Sequence, residues 1–277
     1  MNKILSKIYL SEDLVKFEIR TSMPVNDFKS GQYIILKLEQ NKVGYPLPVI
    51  KTNVEKETII LIISVTDDCT RSLANLNAGS TNFELFGPFG CPAQIKNYGT
   101  VLCIGRGSGI LPLLPILKRL RESGNQIISV LSASSKMEII LQNEINAASD
   151  EMIILPDDGS SGEKGNLGQV IEQVFKNNRV NHVFVIGSAK TIKEICTLTT
   201  KYSIQTQAIL YMGKPIQNGV HGIYRVTILG NTKSVCVDGF NFNAWYPNFD
   251  EMVHRFKETD LKIQGQVSVS NQINVPV

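Results

Sequence analysis

The first hundred residues alternate apolar and polar positions in short runs, the period of two that is typical of half-buried β-strands. Residues 1–9 already follow this pattern, and turn-forming residues such as Ser30-Gly31 separate the later runs. These later runs lie at residues 15–20, 33–38, 58–65 and 82–86. Several short strands at this spacing predict a small antiparallel β-barrel or sandwich over residues 1–97.

Between residues 98 and 211 the pattern changes, and apolar runs alternate with segments of helical period. The strand-like runs lie at residues 101–104, 126–132, 151–155, 182–186 and 207–210. The helix-like segments lie at residues 111–123, 137–148, 167–177 and 191–202. This βαβα order predicts a parallel sheet that is covered by helices on both faces. Ligands bind such a sheet beyond the carboxyl ends of its strands.

A third, smaller segment spans residues 212–265 and is rich in turn-forming residues. Two strand-like runs, at 224–229 and 233–237 around Gly230-Asn231, predict a hairpin, and a helical period follows at 249–257. Residues 266–277 are rich in Gln, Ser and Asn and are expected to form a tail.

Three glycines on alternate positions, Gly105, Gly107 and Gly109, separate the strand-like run at 101–104 from a helical segment. Glycine accepts φ > 0 and lets a ligand approach the backbone closely. At such a turn the free N–H groups, that of Ser108 included, and the positive end of the helix dipole point at an anion. The pattern favours a site for a nucleotide diphosphate, with a tight turn that binds no ligand as the alternative.

Composition narrows the classes of function. The net charge of +3 is spread without a Lys/Arg block, so nucleic-acid binding is not expected. No apolar run reaches membrane-spanning length and residues 1–9 lack a signal peptide's apolar core, so a cytoplasmic protein without membrane contact is expected. The five cysteines are scattered without a C-x-x-C pair, which argues against a disulfide framework and a zinc site. No Ser/His/Asp or paired-carboxylate arrangement stands out, so no catalytic or metal-ligating residue is assigned.

Six motifs occur in the order and spacing of one known group of proteins. They are Ser30-Gly31-Gln32-Tyr33, Tyr45-Pro46-Leu47, Gly87-Pro88-Phe89-Gly90, residues 105–112, Asp157-Asp158-Gly159-Ser160 and Cys236-Val237-Asp238-Gly239. Over residues 3–257 the chain therefore resembles the ferredoxin–NADP reductase superfamily. Within it, the chain is similar to the electron-transfer subunits of dihydroorotate dehydrogenase and to the small subunits of NADH-dependent ferredoxin–NADP oxidoreductase. The resemblance implies a β-barrel plus α/β fold, with an FAD-type barrel, a parallel-sheet nucleotide-binding domain and a small cluster-type module at the C-terminus.

The resemblance also implies two cofactors, FAD and NAD(P)H, and assigns residues to each. Those expected at FAD are Tyr45, Pro46 and Leu47 against the ring and ribityl chain, and Thr70, Arg71 and Ser72 at the diphosphate. Those expected at the pyridine nucleotide are Gly105, Gly107, Ser108, Gly109, Asp157, Asp158, Gly159, Ser160 and Gly187. For Asp157 and Ser160, hydrogen bonds within a local turn are the alternative.

Two departures from the family's pattern fall on these cofactor motifs. Gly44 and Pro48 stand where the family has an arginine and a hydroxyl residue around the flavin motif. Arg106 interrupts the glycine turn, where it would either add charge toward a phosphate or block the path of the nicotinamide.

A third departure concerns the cluster-type module. Only Cys236 remains of the family's cluster ligands, with His221 and Tyr224 in the matching stretch. A [2Fe–2S] cluster needs four ligands, so no cluster is expected and these residues would pack a metal-free module.

As a whole, the resemblance implies a flavoprotein oxidoreductase that works as an electron-transfer subunit. It would move hydride between NAD(P)H and FAD and pass electrons to a partner subunit of a heteromeric complex. The alternative is a non-catalytic paralogue that binds a nucleotide or a partner protein, because several departures break a cofactor rule without a local gain.

Overall fold

A computed structural model describes residues 1–39, 43–160 and 166–211, and the backbone of four short strands beyond residue 215. Within these ranges no helix is long and apolar enough to cross a membrane. Two large sheets, one antiparallel and one parallel, are built mainly from residues 1–211, and a two-stranded sheet follows them in the chain.

The antiparallel sheet is barrel-like and comes from the first 89 residues. Its strands are β1 Lys3–Ser11, β2 Leu14–Arg20, β3 Tyr33–Leu38, β4 Val43–Asn53, β5 Thr58–Ser64 and β6 Phe83–Phe89. They lie side by side in the order β1-β2-β5-β4-β3-β6. Phe17, Ile34 and Leu61 are among the side chains that fill its interior without exposed surface. The predicted antiparallel barrel is confirmed, and it includes β4, which alternation alone does not reveal because Pro46 and Pro48 are poor strand formers.

The parallel sheet follows from residue 100 onwards. Its strands are β7 Thr100–Arg106, β8 Gln126–Ala133, β9 Glu151–Pro156, β10 His182–Gly187 and β11 Gln205–Leu210, in the spatial order β11-β10-β7-β8-β9. The helices are α1 Asp68–Ala74 beside the barrel, and α2 Ile110–Glu122, α3 Gln142–Ala147, α4 Leu167–Asn177 and α5 Ala189–Lys201 around the parallel sheet. The predicted βαβα order is confirmed.

The continuous helix predicted over residues 137–148 is wrong. The chain instead forms a 3₁₀ turn at Lys136–Glu138 and the short helix α3, and Leu141 between them takes a left-handed φ of +58°. Ile139 and Leu141 are both buried. Residues two positions apart lie about 200° apart around a helix, so an unbroken helix cannot turn both toward one core. Burial of the two side chains outweighs local helical preference.

The barrel packs its outer surface against α2. Leu14, Ile50 and Ile62 of the barrel share one core with residues of α2 and with Ala93 of the linker. The Ser30 hydroxyl donates to the carbonyl oxygen of Pro115 in α2, at 3.1 Å. These contacts hold β4 close to the carboxyl ends of the parallel strands.

The C-terminal segment adds four short strands. β12 Ile216–Gln217 pairs with the start of β4, β13 Arg225–Ile228 pairs with β14 Asn231–Ser234, and β15 Asn241–Asn243 pairs with β11. The β13–β14 pairing confirms the predicted hairpin. The predicted helix at 249–257, the tail at 266–277 and the three residues His221, Tyr224 and Cys236 lie outside the described residues.

Candidate functional site

The glycine turn lies at the carboxyl end of β7, the central strand of the parallel sheet. Gly107 has a left-handed φ of +56°, and no atom lies within 4 Å of the place where a Cβ would be. At Gly109 a Cβ would lie only 2.4 Å from the carbonyl oxygen of Ile186, so glycine lets the turn rest against the end of β10. Within the described residues, no side chain caps the N-terminus of α2. The surface is therefore open above Gly107, and no described side chain competes there for the first N–H groups of α2, as anion binding requires.

Arg106, the last residue of β7, is held by two partners. Its Nη2 donates to the Oδ2 atom of Asp157 at 2.5 Å, and its Nη1 donates to the Ser132 hydroxyl at 3.2 Å. Ser132 belongs to β8, and Asp157 directly follows β9. The guanidinium is thus directed toward β8 and β9, whereas Gly187 lies on the other side of β7, at the end of β10. The charged group is therefore directed away from Gly187.

The loop after β9 is ordered by its own polar groups. The Asp158 carboxylate accepts hydrogen bonds from the backbone N–H of Ser160 at 2.9 Å and from its hydroxyl at 2.5 Å. These bonds hold the pKa of Asp158 below its usual value. The Ser160 hydroxyl oxygen also accepts from the backbone N–H of Lys136. The local-turn alternative therefore applies to Ser160, which bonds with Asp158, while Asp157 reaches across to Arg106.

The residues predicted for the pyridine nucleotide share one edge of the molecule. At the carboxyl ends of the parallel strands lie Gly105, Gly107, Ser108, Gly109, Asp157, Asp158, Gly159, Ser160 and Gly187. Gly187 is less tightly packed than Gly105 and Gly109, since a Cβ there would meet only ordinary contacts at 3.5 Å or more. Its carbonyl oxygen accepts from the backbone N–H of Tyr211.

The side chains of the flavin motif alternate between the two faces of β4. Tyr45 and Leu47 point into the barrel core, where they are 5% and 1% exposed. The Tyr45 hydroxyl hydrogen-bonds to the Thr66 side chain, and burial raises its pKa. Pro46 lies on the opposite face by the alternation of the strand. Of the three predicted residues, only Pro46 presents its side chain outward, and Tyr45 or Leu47 would contact a ring there through the backbone.

Gly44 and Pro48, the two residues that depart from the family's pattern around this motif, have structural causes. A Cβ at Gly44 would lie 2.4 Å from the Cγ2 atom of Ile35, so the position has no room for a side chain while Ile35 stays in place. The Pro46 carbonyl points away from β3 and accepts a 3.0 Å hydrogen bond from the Tyr211 hydroxyl. Pro48 lies two residues further along β4, so its missing N–H points to the same side as the Pro46 carbonyl, and the β3–β4 ladder loses no hydrogen bond there.

Tyr211 is a residue of this region that the sequence pattern did not single out. It follows β11, is 8% exposed, and burial, with Tyr45 and Tyr33 nearby, raises the pKa of its phenol. Its only sequence signal is an aromatic residue after the last parallel strand.

The predicted diphosphate residues beside the barrel lie in α1. Thr70 is buried and closes a capping box with Asp67, accepting from and donating to that residue. The Ser72 hydroxyl donates to the carbonyl oxygen of Asp68. Arg71 is exposed and carries its charge to the surface. Of the three predicted residues, Arg71 therefore has an accessible charged side chain, whereas the Thr70 hydroxyl is already hydrogen-bonded in the helix cap.

The described ranges 1–39, 43–160 and 166–211 contain no group of three or more His, Cys, Asp or Glu side chains that could bind a metal ion together. Of the cysteines in them, Cys103 and Cys196 are buried. Burial raises the pKa of both buried thiols.

Comparison with known proteins supplies the family. No protein-family model matches the chain. The dihydroorotate dehydrogenase B (NAD(+)) electron transfer subunit homolog of Thermotoga maritima is 31% identical over 259 residues, which are 93% of this chain and 91% of that protein. The solved structure of an NADH-dependent reduced ferredoxin–NADP oxidoreductase, described for flavin-based electron bifurcation, superposes with a TM-score of 0.79 at 29% identity, covering 97% of this chain and 98% of that one.

A more distant structure shares the fold. The ferredoxin NADP+ reductase of Neisseria gonorrhoeae, solved with bound FAD and NADP, matches with a TM-score of 0.60 at 18% identity, over 77% of this chain and 98% of that one. The resemblance inferred from the six motifs is confirmed by these relatives. The chain belongs to the family of dihydroorotate dehydrogenase B electron-transfer subunits and their homologues.

Proposed function

We propose that the chain is the electron-transfer subunit of a flavin-dependent oxidoreductase. It accepts reducing equivalents from NAD(P)H, holds FAD between the barrel and the parallel sheet, and works with a partner subunit in a heteromeric complex. The observation that carries the proposal is the match to electron-transfer subunits along almost the whole chain, combined with a glycine turn that is open above Gly107 and closely packed at Gly109.

The pyridine nucleotide is proposed to bind at the glycine turn. The backbone N–H groups of Gly107, Ser108 and Gly109 and the uncapped N-terminus of α2 would hold its diphosphate. Arg106 adds a positive charge beside the turn. The Asp158–Ser160 turn forms the side of the proposed site next to the end of β9. These groups bind and orient the nucleotide, so that its nicotinamide extends toward Gly187 and the barrel.

The residues around β4 fit FAD in two respects. Pro46 offers an apolar surface for a flat ring, and exposed Arg71 on α1 offers a cation for a diphosphate. When bound, FAD supplies the ability to take up a hydride and release electrons singly. Gly44, Pro46 and Pro48 carry no side-chain donor or acceptor, so hydrogen bonds to the polar edge of the ring must come from other groups. The hydrogen bond from the Tyr211 hydroxyl to the Pro46 carbonyl oxygen keeps the outward face of β4 close to the parallel sheet.

A second candidate function is a non-catalytic subunit that binds a nucleotide or a partner. Two observations favour it. Gly44 has no space for the family's arginine, and the Pro46 carbonyl already has the Tyr211 hydroxyl as its partner.

An anaerobic visible spectrum of the full chain with added FAD separates the two candidates. Flavin bands that bleach on addition of NADH or NADPH are expected for the electron-transfer subunit. The Gly109→Val variant should retain FAD but lose bleaching, because its side chain overlaps the Ile186 carbonyl and displaces the nucleotide turn. A chain that takes up no FAD yet binds nucleotide would instead establish the non-catalytic function. Iron analysis of the same sample tests whether a cluster is present.

A further inference from the structure

The ion pair between Arg106 and Asp157 lies directly beside the proposed phosphate site. The pair joins the ends of β7 and β9, and the Ser132 hydroxyl of β8 between them accepts from the same guanidinium. The Arg106 and Asp157 side chains are 30% and 41% exposed. Both partners are therefore within reach of a ligand in solvent.

Arg106 has hydrogen-bonding capacity left for such a ligand. A guanidinium carries five N–H donors, of which two are engaged by Asp157 and Ser132. A half-exposed ion pair contributes little free energy, because water screens the attraction between its charges and two side chains must stay ordered. A phosphate that binds a guanidinium in a bidentate manner forms a stronger, charge-assisted contact. Asp157 already neutralises the single positive charge of Arg106, so a carboxylate and a phosphate compete for one cation even though N–H donors remain free.

We propose that Asp157 is a built-in competitor of the nucleotide phosphate for Arg106, so that nucleotide binding exchanges the Arg106–Asp157 pair for an Arg106–phosphate pair. This inference rests on the proposed function and adds regulation of that same site. Without nucleotide, Asp157 holds Arg106 across the ends of β8 and β9. After reaction, the carboxylate recaptures the guanidinium and promotes release of the oxidised nucleotide. Asp157 thereby lowers affinity in favour of turnover.

The test is a double-mutant cycle read by binding rather than by activity. Isothermal titration of the full chain with NADH, NADPH and ADP-ribose gives the dissociation constant for wild type, Asp157→Asn, Arg106→Gln and the double variant. Asp157→Asn should tighten binding about threefold, the scale of a half-exposed charge pair. Arg106→Gln should weaken it about tenfold through loss of a charge-assisted phosphate contact. In the double variant, Asp157→Asn should bring no further gain, because its effect operates through Arg106.

The chain offers a matched control at the opposite end of the parallel sheet. Asp150 and Arg121 form an ion pair of 3.6 Å with side-chain exposures of 42% and 49%, close to those of the pair at the site. Asp150→Asn makes the same change in net charge away from the glycine turn. Its dissociation constants should equal those of wild type.

Two results would overturn the exchange while leaving the proposed function intact. If Asp157→Asn weakens binding as Arg106→Gln does, the carboxylate orients the guanidinium for the phosphate and does not compete with it. If Asp157→Asn tightens binding equally in the Arg106→Gln background, the carboxylate repels the phosphate directly. A wild-type chain that binds none of the three probes contradicts the proposed function itself. Stopped-flow release of NADH, expected to slow in Asp157→Asn only when Arg106 is present, supplies an independent readout.

Discussion

The hydroxyl of Tyr211 donates a 3.0 Å hydrogen bond to the carbonyl oxygen of Pro46, 165 residues away in the chain. Tyr211 follows the last parallel strand, and Pro46 lies on the barrel strand that carries the flavin motif. The bond therefore joins the two sheets at the place where both proposed cofactors would meet. Both groups are shielded from solvent in part, and Tyr211 is 8% exposed.

Removal of this hydroxyl is expected to destabilise the junction between the sheets. Tyr211→Phe keeps the ring but leaves the Pro46 carbonyl without its donor, which should lower the free energy of unfolding by about 1–2 kcal/mol. Urea denaturation measures the change. Tyr9→Phe is the matched control, because Tyr9 is 60% exposed and its substitution should have no measurable effect. Equal stability of Tyr211→Phe and wild type would contradict a stabilising role for the bond.

We expect His182 to make the fold sensitive to acid at the amino end of the parallel sheet. It is 5% exposed and stacks on Tyr98 with ring centroids 4.0 Å apart, and neither ring nitrogen has a hydrogen-bond partner among the described residues. Burial, and then the nearby Lys96 charge, lower its pKa to about 4. The folded chain therefore holds this imidazole neutral, whereas the unfolded chain protonates it near its usual pKa of about 6.5.

The stability that His182 supports is present above pH 6.5 and is lost as the pH falls from there toward 4. The loss should approach about 3 kcal/mol, since one unit of pKa shift corresponds to about 1.4 kcal/mol. Urea midpoints at pH 7.5, 5.5 and 4.5 measure it. His182→Phe keeps an aromatic ring against Tyr98 without a titrating group, and it should flatten this part of the pH profile. An unchanged slope in that variant would assign the acid sensitivity to other groups.

Gly109 should tolerate no side chain. In Gly109→Ala the new Cβ would lie 2.4 Å from the Ile186 carbonyl oxygen, which is backbone and cannot move aside cheaply. The cost should be about 1–3 kcal/mol in unfolding free energy, as for overpacked cores. Gly187→Ala provides the comparison, because its Cβ would meet Thr191 at an ordinary 3.5 Å. Thermal unfolding of the two variants measures the difference, and similar midpoints would contradict the close packing of the turn.

The Gly44 position should accept a side chain only after Ile35 is changed. The obstruction at 2.4 Å is the Cγ2 methyl of Ile35, a branch that leucine lacks. Gly44→Arg should therefore destabilise the chain by about 1–3 kcal/mol, and Ile35→Leu in the same chain should recover part of the loss. Urea denaturation measures stability, and flavin fluorescence titration measures whether the restored arginine tightens FAD binding. No recovery by Ile35→Leu would place the obstruction elsewhere.

Sequence patterns predicted well the features that depend on neighbouring residues. The period of two in the barrel and the βαβα order after residue 98 follow from the side chains of each element, because every strand must turn its apolar positions to a core. The glycine turn at 105–109 is likewise local, since Gly107 adopts a positive φ that glycine accepts without strain. The helix predicted at 137–148 failed because Ile139 and Leu141, which an unbroken helix would place on opposite sides, are both buried in one core.

The sequence by itself determined the class of fold, the family and the place of the glycine turn, because periodicity, glycine conformation and motif order are properties of short segments. Only the tertiary structure decided that Asp157 is the partner of Arg106, that Tyr45 points into the barrel, and that Tyr211 reaches Pro46. Each of these depends on which strand ends lie next to one another. Such contacts are set by the packing of the whole chain, in which burial of apolar surface brings together polar groups that are 51 or 165 residues apart.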